Sequence, residues 1–235
     1  DWGTTLGPIT WINDPTLTQT VNGVSVAGLE RLLITTGVGN DQVNNNYAGN
    51  GTSDYIDTGA GNDTINGGLG TDTIFAGTGN DSVVTNAGSE TVDLGDGNDT
   101  LTASHGVDSL TAGLGTDTLL VDLDYSGFGA GNALRYFIGA PSFANLVNAT
   151  SSYAAIAALL PSSSTYMNLQ VSGGSDQFGA VGFESIVTNL VGTADGDLLI
   201  YQGGTKYWGG AGADTFYADW GTTLGPITWI NDPTL

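Results

Sequence analysis

An all-β chain wound as a parallel solenoid is what this sequence predicts, and three observations carry the prediction. Glycine fills 38 of the 235 positions. Acidic residues outnumber basic ones 24 to 3, for a formal charge of −21. Between about residue 37 and residue 122, an acidic side chain and an aliphatic one recur at every ninth position, with one short insertion near the start. A period that short holds one turn and one short strand, and only a stack of such units buries a continuous core.

The beat is legible by eye. It runs TGAGNDTIN (58–66), GGLGTDTIF (67–75), AGTGNDSVV (76–84), TNAGSETVD (85–93), LGDGNDTLT (94–102), ASHGVDSLT (103–111) and AGLGTDTLL (112–120). The sixth position is always acidic: Asp63, Asp72, Asp81, Glu90, Asp99, Asp108 and Asp117. The eighth is always aliphatic, from Ile65 to Leu119. Asp54 with Ile56 extends both columns by one unit, and Asp41 with Val43 by another, across a short insertion around Asn45–Ala48.

These columns resemble the repeats-in-toxin (RTX) family of calcium-binding β-rolls, whose nonapeptide is GGxGxDxUx. The resemblance implies a β-roll in which two nonapeptides make one coil and coils stack about 4.8 Å apart as parallel strands. The aliphatic residue of each x-U-x strand then points inward, and acids two nonapeptides apart lie over one another. Bare carboxylates about 5 Å apart repel by about 0.8 kcal/mol per pair even in water. Ca2+ between the turns would remove that repulsion, because it takes carboxylate and carbonyl oxygens together. The ligands implied are Asp41, Asp54, Asp63, Asp72, Asp81, Glu90, Asp99, Asp108, Asp117, Asp197 and Asp214. Backbone groups of Gly59, Gly61, Gly77, Gly79, Gly95, Gly97, Gly113, Gly115, Gly210 and Gly212 would complete the turns.

The two sides of the roll are unequal. TGAGND, AGTGND, LGDGND and AGLGTD, ending at Asp63, Asp81, Asp99 and Asp117, keep both turn glycines. Opposite them, GNGTSD, TNAGSE and ASHGVD depart from the pattern, and only GGLGTD at Asp72 is intact. Ions are therefore expected between 63 and 81, 81 and 99, and 99 and 117, with a partly filled column opposite. His105, the only histidine, reads as a surface turn residue.

The remainder looks like a diverged echo of the first half. GVSVAGLERLLITTGVGNDQV (23–43) leads into the first roll, about 37–122, and GAVGFESIVTNLVGTADGDLL (179–199) into a second, about 183–218. Glu30 and Glu184 occupy matching places, where each would cap a first turn or face solvent. Lys206 stands one nonapeptide after Asp197, in an acidic slot, where an ammonium could replace an ion or simply be exposed. The division expected is 1–122 for lead-in and first roll, 123–218 for an intervening segment and second roll, and 219–235 for the start of another copy. Apolar segments after each roll, 119–139 and 215–232, are expected to form flanking strands, with Trp2, Trp11, Tyr125 and Tyr136 in the core. One short helix is expected over 151–160, capped by Ser151 or Ser152 and stopped by Pro161.

Residues 219–235, DWGTTLGPITWINDPTL, repeat residues 1–17 letter for letter. The expectation is a window on a tandem array whose unit is the stretch 1–218, in agreement with a start that lacks Met and a signal peptide. Three basic residues exclude nucleic acid as a partner class, and no apolar run of about 18 residues is present to insert in a membrane. No GxSxG, HExxH or phosphate-loop motif occurs, so no enzyme is expected. The ranks of third and fifth turn positions are too ragged for an ice-binding face, and an aromatic carbohydrate platform has no supporting pattern. The resemblance implies export by a one-step secretion system and folding in extracellular calcium. The functional expectation is a repeat unit of a secreted, calcium-stabilised filament, sheath or surface layer, with itself as partner. The alternatives are the stalk of a large adhesin or the folding appendage of a secreted enzyme.

Overall fold

The computed structural model describes residues 1–217 apart from 5–6, 15, 48–50, 129–131, 139–144, 149, 153, 156–165, 172–176, 184 and 202–205. Each nonapeptide folds as a glycine turn, an acid and a strand. Tyr55–Asp57 follows Asp54, Thr64–Asn66 follows Asp63, and Ser82–Val84 follows Asp81, each with its central aliphatic residue buried. Thr, Ile and Val suit these short strands because their β-branched side chains fit a pleated surface.

Successive strands go alternately to two sheets. The first sheet runs Thr10–Ile12, Gln42–Asn44, Thr64–Asn66, Ser82–Val84, Thr100–Ala103, Thr118–Asp124, Ser185–Val191, Tyr207–Trp208, all parallel. The second runs Leu33–Thr35, Tyr55–Asp57, Thr73–Thr78, Thr91–Asp96, Val107–Leu114, Gln177–Val181, also parallel. Its far end is antiparallel: Tyr166–Val171 and then Leu134–Ile138 and Asn145–Val147. Within the regular roll the register is two nonapeptides, as in Ile65 beside Val83 and Ile74 beside Val92. Across the insertion the coil lengthens, with Val43 beside Ile65 and Ile34 beside Ile56.

Inward columns make the core. Val43, Ile65, Val83, Leu101 and Leu119 face Ile34, Ile56, Ile74, Val92 and Leu110, and all of them are buried. Full burial of one such side chain contributes about 1.5–3 kcal/mol. Buried hydroxyls are satisfied along the same axis: Thr58 Oγ1 donates to the Ala76 carbonyl at 2.9 Å.

After Asp124 the chain leaves the roll, and it returns at Gln177, whose strand continues the second sheet. Ser185–Val191 then pairs along its whole length with Thr118–Asp124, so the second roll shares the first sheet of the first. Its own coil is shorter by one residue: Leu190 stands beside Tyr207 and Leu199 beside Phe216. Tyr125 and Phe183 are fully buried where the excursion leaves and rejoins. At the opposite end Trp11 is buried under Trp2, their rings 6.1 Å apart. Tyr136 lies on the Leu134–Ile138 strand, and its side chain is outside the described residues. Most of 151–160, where a helix was expected, is also outside them; Ser152 Oγ accepts from the Ala155 amide at 3.3 Å. Residues 219–235 are outside them too. Among the described residues no helix is long and apolar enough to cross a membrane.

Candidate metal centre

Every acid of the first roll that the nonapeptide beat picks out is buried: Asp41, Asp54, Asp63, Asp72, Asp81, Glu90, Asp99, Asp108 and Asp117. The winding sorts them into two columns. In the first, Asp63 Oδ1 accepts from the Asp41 amide, Asp81 from Asp63, Asp99 from Asp81 and Asp117 from Asp99, at 2.7–2.8 Å. Asp41 caps this column by accepting from the Ile9 amide at 2.6 Å. In the second, Asp72 Oδ1 accepts from Asp54 and Asp108 Oδ1 from Glu90, each at 2.9 Å. The pairs expected to flank ions, 63/81, 81/99 and 99/117, are thus neighbours in successive coils.

In five of these carboxylates one oxygen is used and the other is not. Oδ2 of Asp41, Asp63, Asp72, Asp81 and Asp99 is buried without a hydrogen-bond partner. An ionised oxygen in that position is costly. Burial pushes Asp63 up to about 6, with Asp41 adding to the effect. It pushes Asp72 and Asp81 up to about 7, helped by Asp54 in one case and by Asp63 and Asp99 in the other. Asp99 is raised by burial and by Asp117. Glu90 is raised by burial and then by Asp108 and Asp72, which crowd it.

These orphaned oxygens fit a hard dication, which a carboxylate binds in its ionised form. Among the described residues no three acidic or imidazole side chains converge on one point. A cation here must therefore draw several ligands from backbone carbonyls, which is calcium's habit rather than that of zinc or copper. The turn glycines bring those carbonyls close. Gly59, Gly61, Gly77, Gly79, Gly95, Gly97, Gly113 and Gly115 all take positive φ. At Gly79, φ is 135°, and a Cβ would overlap the Gly61 carbonyl oxygen of the coil before. Only glycine fits that close approach. In the second column, positive φ among the described residues is confined to Gly68 and Gly70, in the one turn expected to be intact.

Not every predicted acid is open. Asp54 is held by the Leu32 amide, Thr52 Oγ1 and Asn45 Nδ2, although burial still raises it. Asp197, fully buried, is held by the amide and hydroxyl of Thr193. Asp214 is exposed, with Oδ1 accepting from the Asp197 amide at 2.9 Å; Gly210 and Gly212 beside it take positive φ like their counterparts. Lys206 is exposed rather than buried in an acid's place, and its amide bonds Asn189 Oδ1. Glu30 faces solvent, and Glu184 is outside the described residues. His105 is more than a surface turn residue: its half-buried ring meets Tyr125 edge-on at 4.9 Å and Phe128 at 5.9 Å.

A second ladder was not anticipated. Asn40 Oδ1 accepts from the Asn62 amide, Asn62 from Asn80, Asn80 from Asn98 and Asn98 from Thr116, all at 2.8 Å. It runs outside the first acid column only. Its signal was present at the fifth turn position, once those residues are sorted by side rather than taken in sequence.

A parallel roll whose turns stack buried carboxylates with one oxygen spare belongs to the class of cation-binding β-solenoids. Residues 48–83, 84–119 and 207–223 match the family of the RTX calcium-binding nonapeptide repeat (4 copies). Together with the roll that contains them, these repeats fit an RTX β-roll protein, and such nonapeptide repeats bind Ca2+. No curated protein and no solved structure gives a significant match to the chain.

Proposed function

We propose that the chain is a repeat unit of a secreted, calcium-stabilised structural filament, sheath or surface layer. The observation that carries this reading is the recurrence of DWGTTLGPITWINDPTL, which begins at Asp1 and again at Asp219. The first copy forms the starting edge of the roll, with Thr10–Ile12 outermost in the first sheet. A segment with that place, present twice, suits a chain built from units in series. RTX repeats are typical of secreted bacterial proteins, and three basic residues leave few sites for trypsin-like proteases outside the cell.

The stacked acids give the unit its dependence on calcium. The ions are assigned to the first column, between Asp63 and Asp81, Asp81 and Asp99, and Asp99 and Asp117. The spare Oδ2 atoms of Asp63, Asp81 and Asp99 and the carbonyls of the turn glycines would hold them. Bound calcium supplies the positive charge that lets these buried carboxylates ionise together. Within the wound roll, the Oδ1 ladder of the same residues holds the coils in register. In calcium-poor surroundings the unneutralised acids oppose winding; millimolar calcium outside the cell removes that opposition.

Electron microscopy of cells producing the protein, with and without EGTA, tests the reading. Surface fibres or sheets that dissolve on chelation support it. A surface without ordered material, or material indifferent to EGTA, overturns it.

A further inference from the structure

The mouth of the roll holds a cavity of about 300 Å³. It forms where the first coil begins. Thr10–Ile12 starts the first sheet and brings Trp11; Leu33–Thr35 starts the second, and Leu32 precedes it. Both Trp11 and Leu32 are buried in the cavity's lining. Trp2 joins them from the side of the second sheet, because its amide donates to the Thr35 carbonyl at 2.7 Å. The hairpin of Gln19–Val21 and Val24–Val26 supplies Val26. Asp1 and Arg31, both exposed, stand at the rim.

This lining mixes apolar faces with hydrogen-bonding groups of both kinds. Trp2 and Trp11 lie 6.1 Å apart and tilted by 41°, a splayed pair of rings. Trp11 Nε1 is buried without a hydrogen-bond partner. Buried polar groups are nearly always paired, and an acceptor seated in the cavity would supply what this indole lacks. Asp1 Oδ1 accepts from the Gly3 amide at 2.8 Å, and Arg31 Nε donates to the Ser53 carbonyl at 2.8 Å. These bonds fix both groups and use only part of their capacity, since a carboxylate accepts several hydrogen bonds and a guanidinium donates several.

Charge narrows the ligand. Asp1 and Arg31 offset each other at the rim, while the chain as a whole carries −21. That field repels a strongly anionic ligand. A hydrocarbon would leave the carboxylate, the guanidinium and the indole N–H without a role. A neutral ring with apolar faces and hydroxyls around its edge meets every one of these groups. Small-molecule sites begin at about 300 Å³, which is room for one such ring rather than a polymer. No sequence pattern announces this site, because its residues come from separate stretches at 1–2, 11, 26 and 31–32.

We propose that this cavity binds one neutral pyranose, with a face of the sugar against the Trp2–Trp11 pair and its hydroxyls bonded to Asp1 and Arg31. Trp2 and Trp11 recur in the sequence as Trp220 and Trp229, but VAGLERLLI (26–34) occurs once, so the chain carries one complete lining. The site does not depend on the chain being a repeat unit.

Calorimetric titration of the full chain in calcium with methyl glucoside, methyl galactoside, methyl mannoside and N-acetylglucosamine tests the proposal. At least one of these sugars is expected to bind, at one per chain. Val26→Phe, which fills the cavity, and Arg31→Gln, at an exposed position, are each expected to weaken that binding at least about tenfold. Circular dichroism in calcium checks that the variants keep the roll; if V26F loses it, R31Q decides alone. Binding of none of the four sugars, or binding that survives either substitution in a folded roll, overturns the proposal. So does binding of indole without any sugar, which would make the cavity a purely apolar receptor. EGTA-soluble fibres from a chain that binds no sugar would leave the filament standing and the sugar site refuted.

Discussion

The two turn columns of the first roll are built from the same nonapeptide and have diverged in one respect. Both bury their acids, and both use Oδ1 to hold the preceding coil. They differ in the backbone that carries those acids. In the first column, from Asp63 to Asp117, paired glycines at positive φ recur in every turn, and the ladder Gly77–Gly95–Gly113 continues the second sheet around the corner. In the second, the corner is reduced to isolated bridges through Gly70, Gly88 and Gly106. Burial of a carboxylate follows from where the acid sits in the winding; an opening lined with carbonyls needs the glycines as well. The second column has kept the former and largely lost the latter.

The largest expected effect is that of calcium itself. Transfer to EGTA at neutral pH should abolish the β-roll signal in far-ultraviolet circular dichroism, and a thermal midpoint unchanged by chelation would sink the assignment. Next comes the backbone. Gly79→Ala should cost about 3 kcal/mol or more, from strained φ and overlap with the Gly61 carbonyl. Gly51→Ala, in the second column with open space around the new methyl, should stay within about 0.5 kcal/mol. Denaturant titration in calcium measures both, and similar losses would erase the distinction between the columns.

A smaller effect concerns protons. Asp63, Asp72 and Asp81 titrate higher in the metal-free fold than the ordinary carboxylate value of 3.8. The fold therefore binds more protons than the unfolded chain between those values. Their contribution to stability is complete below about pH 4 and is lost as pH rises through about 6 to 7. In EGTA, acidification from about pH 7.5 to about pH 5 should restore β structure, and Glu90→Gln should raise the metal-free thermal midpoint at neutral pH. Unfolding of the metal-free chain on acidification would contradict the burial argument. Smallest is the outer ladder: Asn80→Ala should lose about 0.5 kcal/mol, read as a slight fall in midpoint without a change in calcium affinity.

Much of this was legible in the sequence because the information repeats. The acid and aliphatic columns mark the strands, the interior and the buried carboxylates. The insertion near Asn45 accounts for the lengthened register on both sheets. Apart from the asparagine ladder, what escaped lacks a period. No spacing announces that Ser185–Val191 returns to lie on Thr118–Asp124, since the entire excursion separates Leu119 from its partner Ile186. Nor does the sequence distinguish Asp197, closed by Thr193, from Asp81, left open, because the difference lies in one neighbouring side chain. His105 looked like a turn residue because its aromatic partners, Tyr125 and Phe128, come from the end of a later strand and the turn beyond it.

The Oδ1 ladder points one way. Each acid reaches back to the amide of the coil before it, from Asp117 to Asp99, Asp99 to Asp81 and Asp81 to Asp63. A roll that grows toward its N-terminus presents a waiting carboxylate to every incoming coil. One that grows toward its C-terminus leaves its newest amide unclaimed until another coil arrives. The ladder is therefore polar: an N-terminal coil always meets a ready acceptor, and a C-terminal one leaves its own amide open.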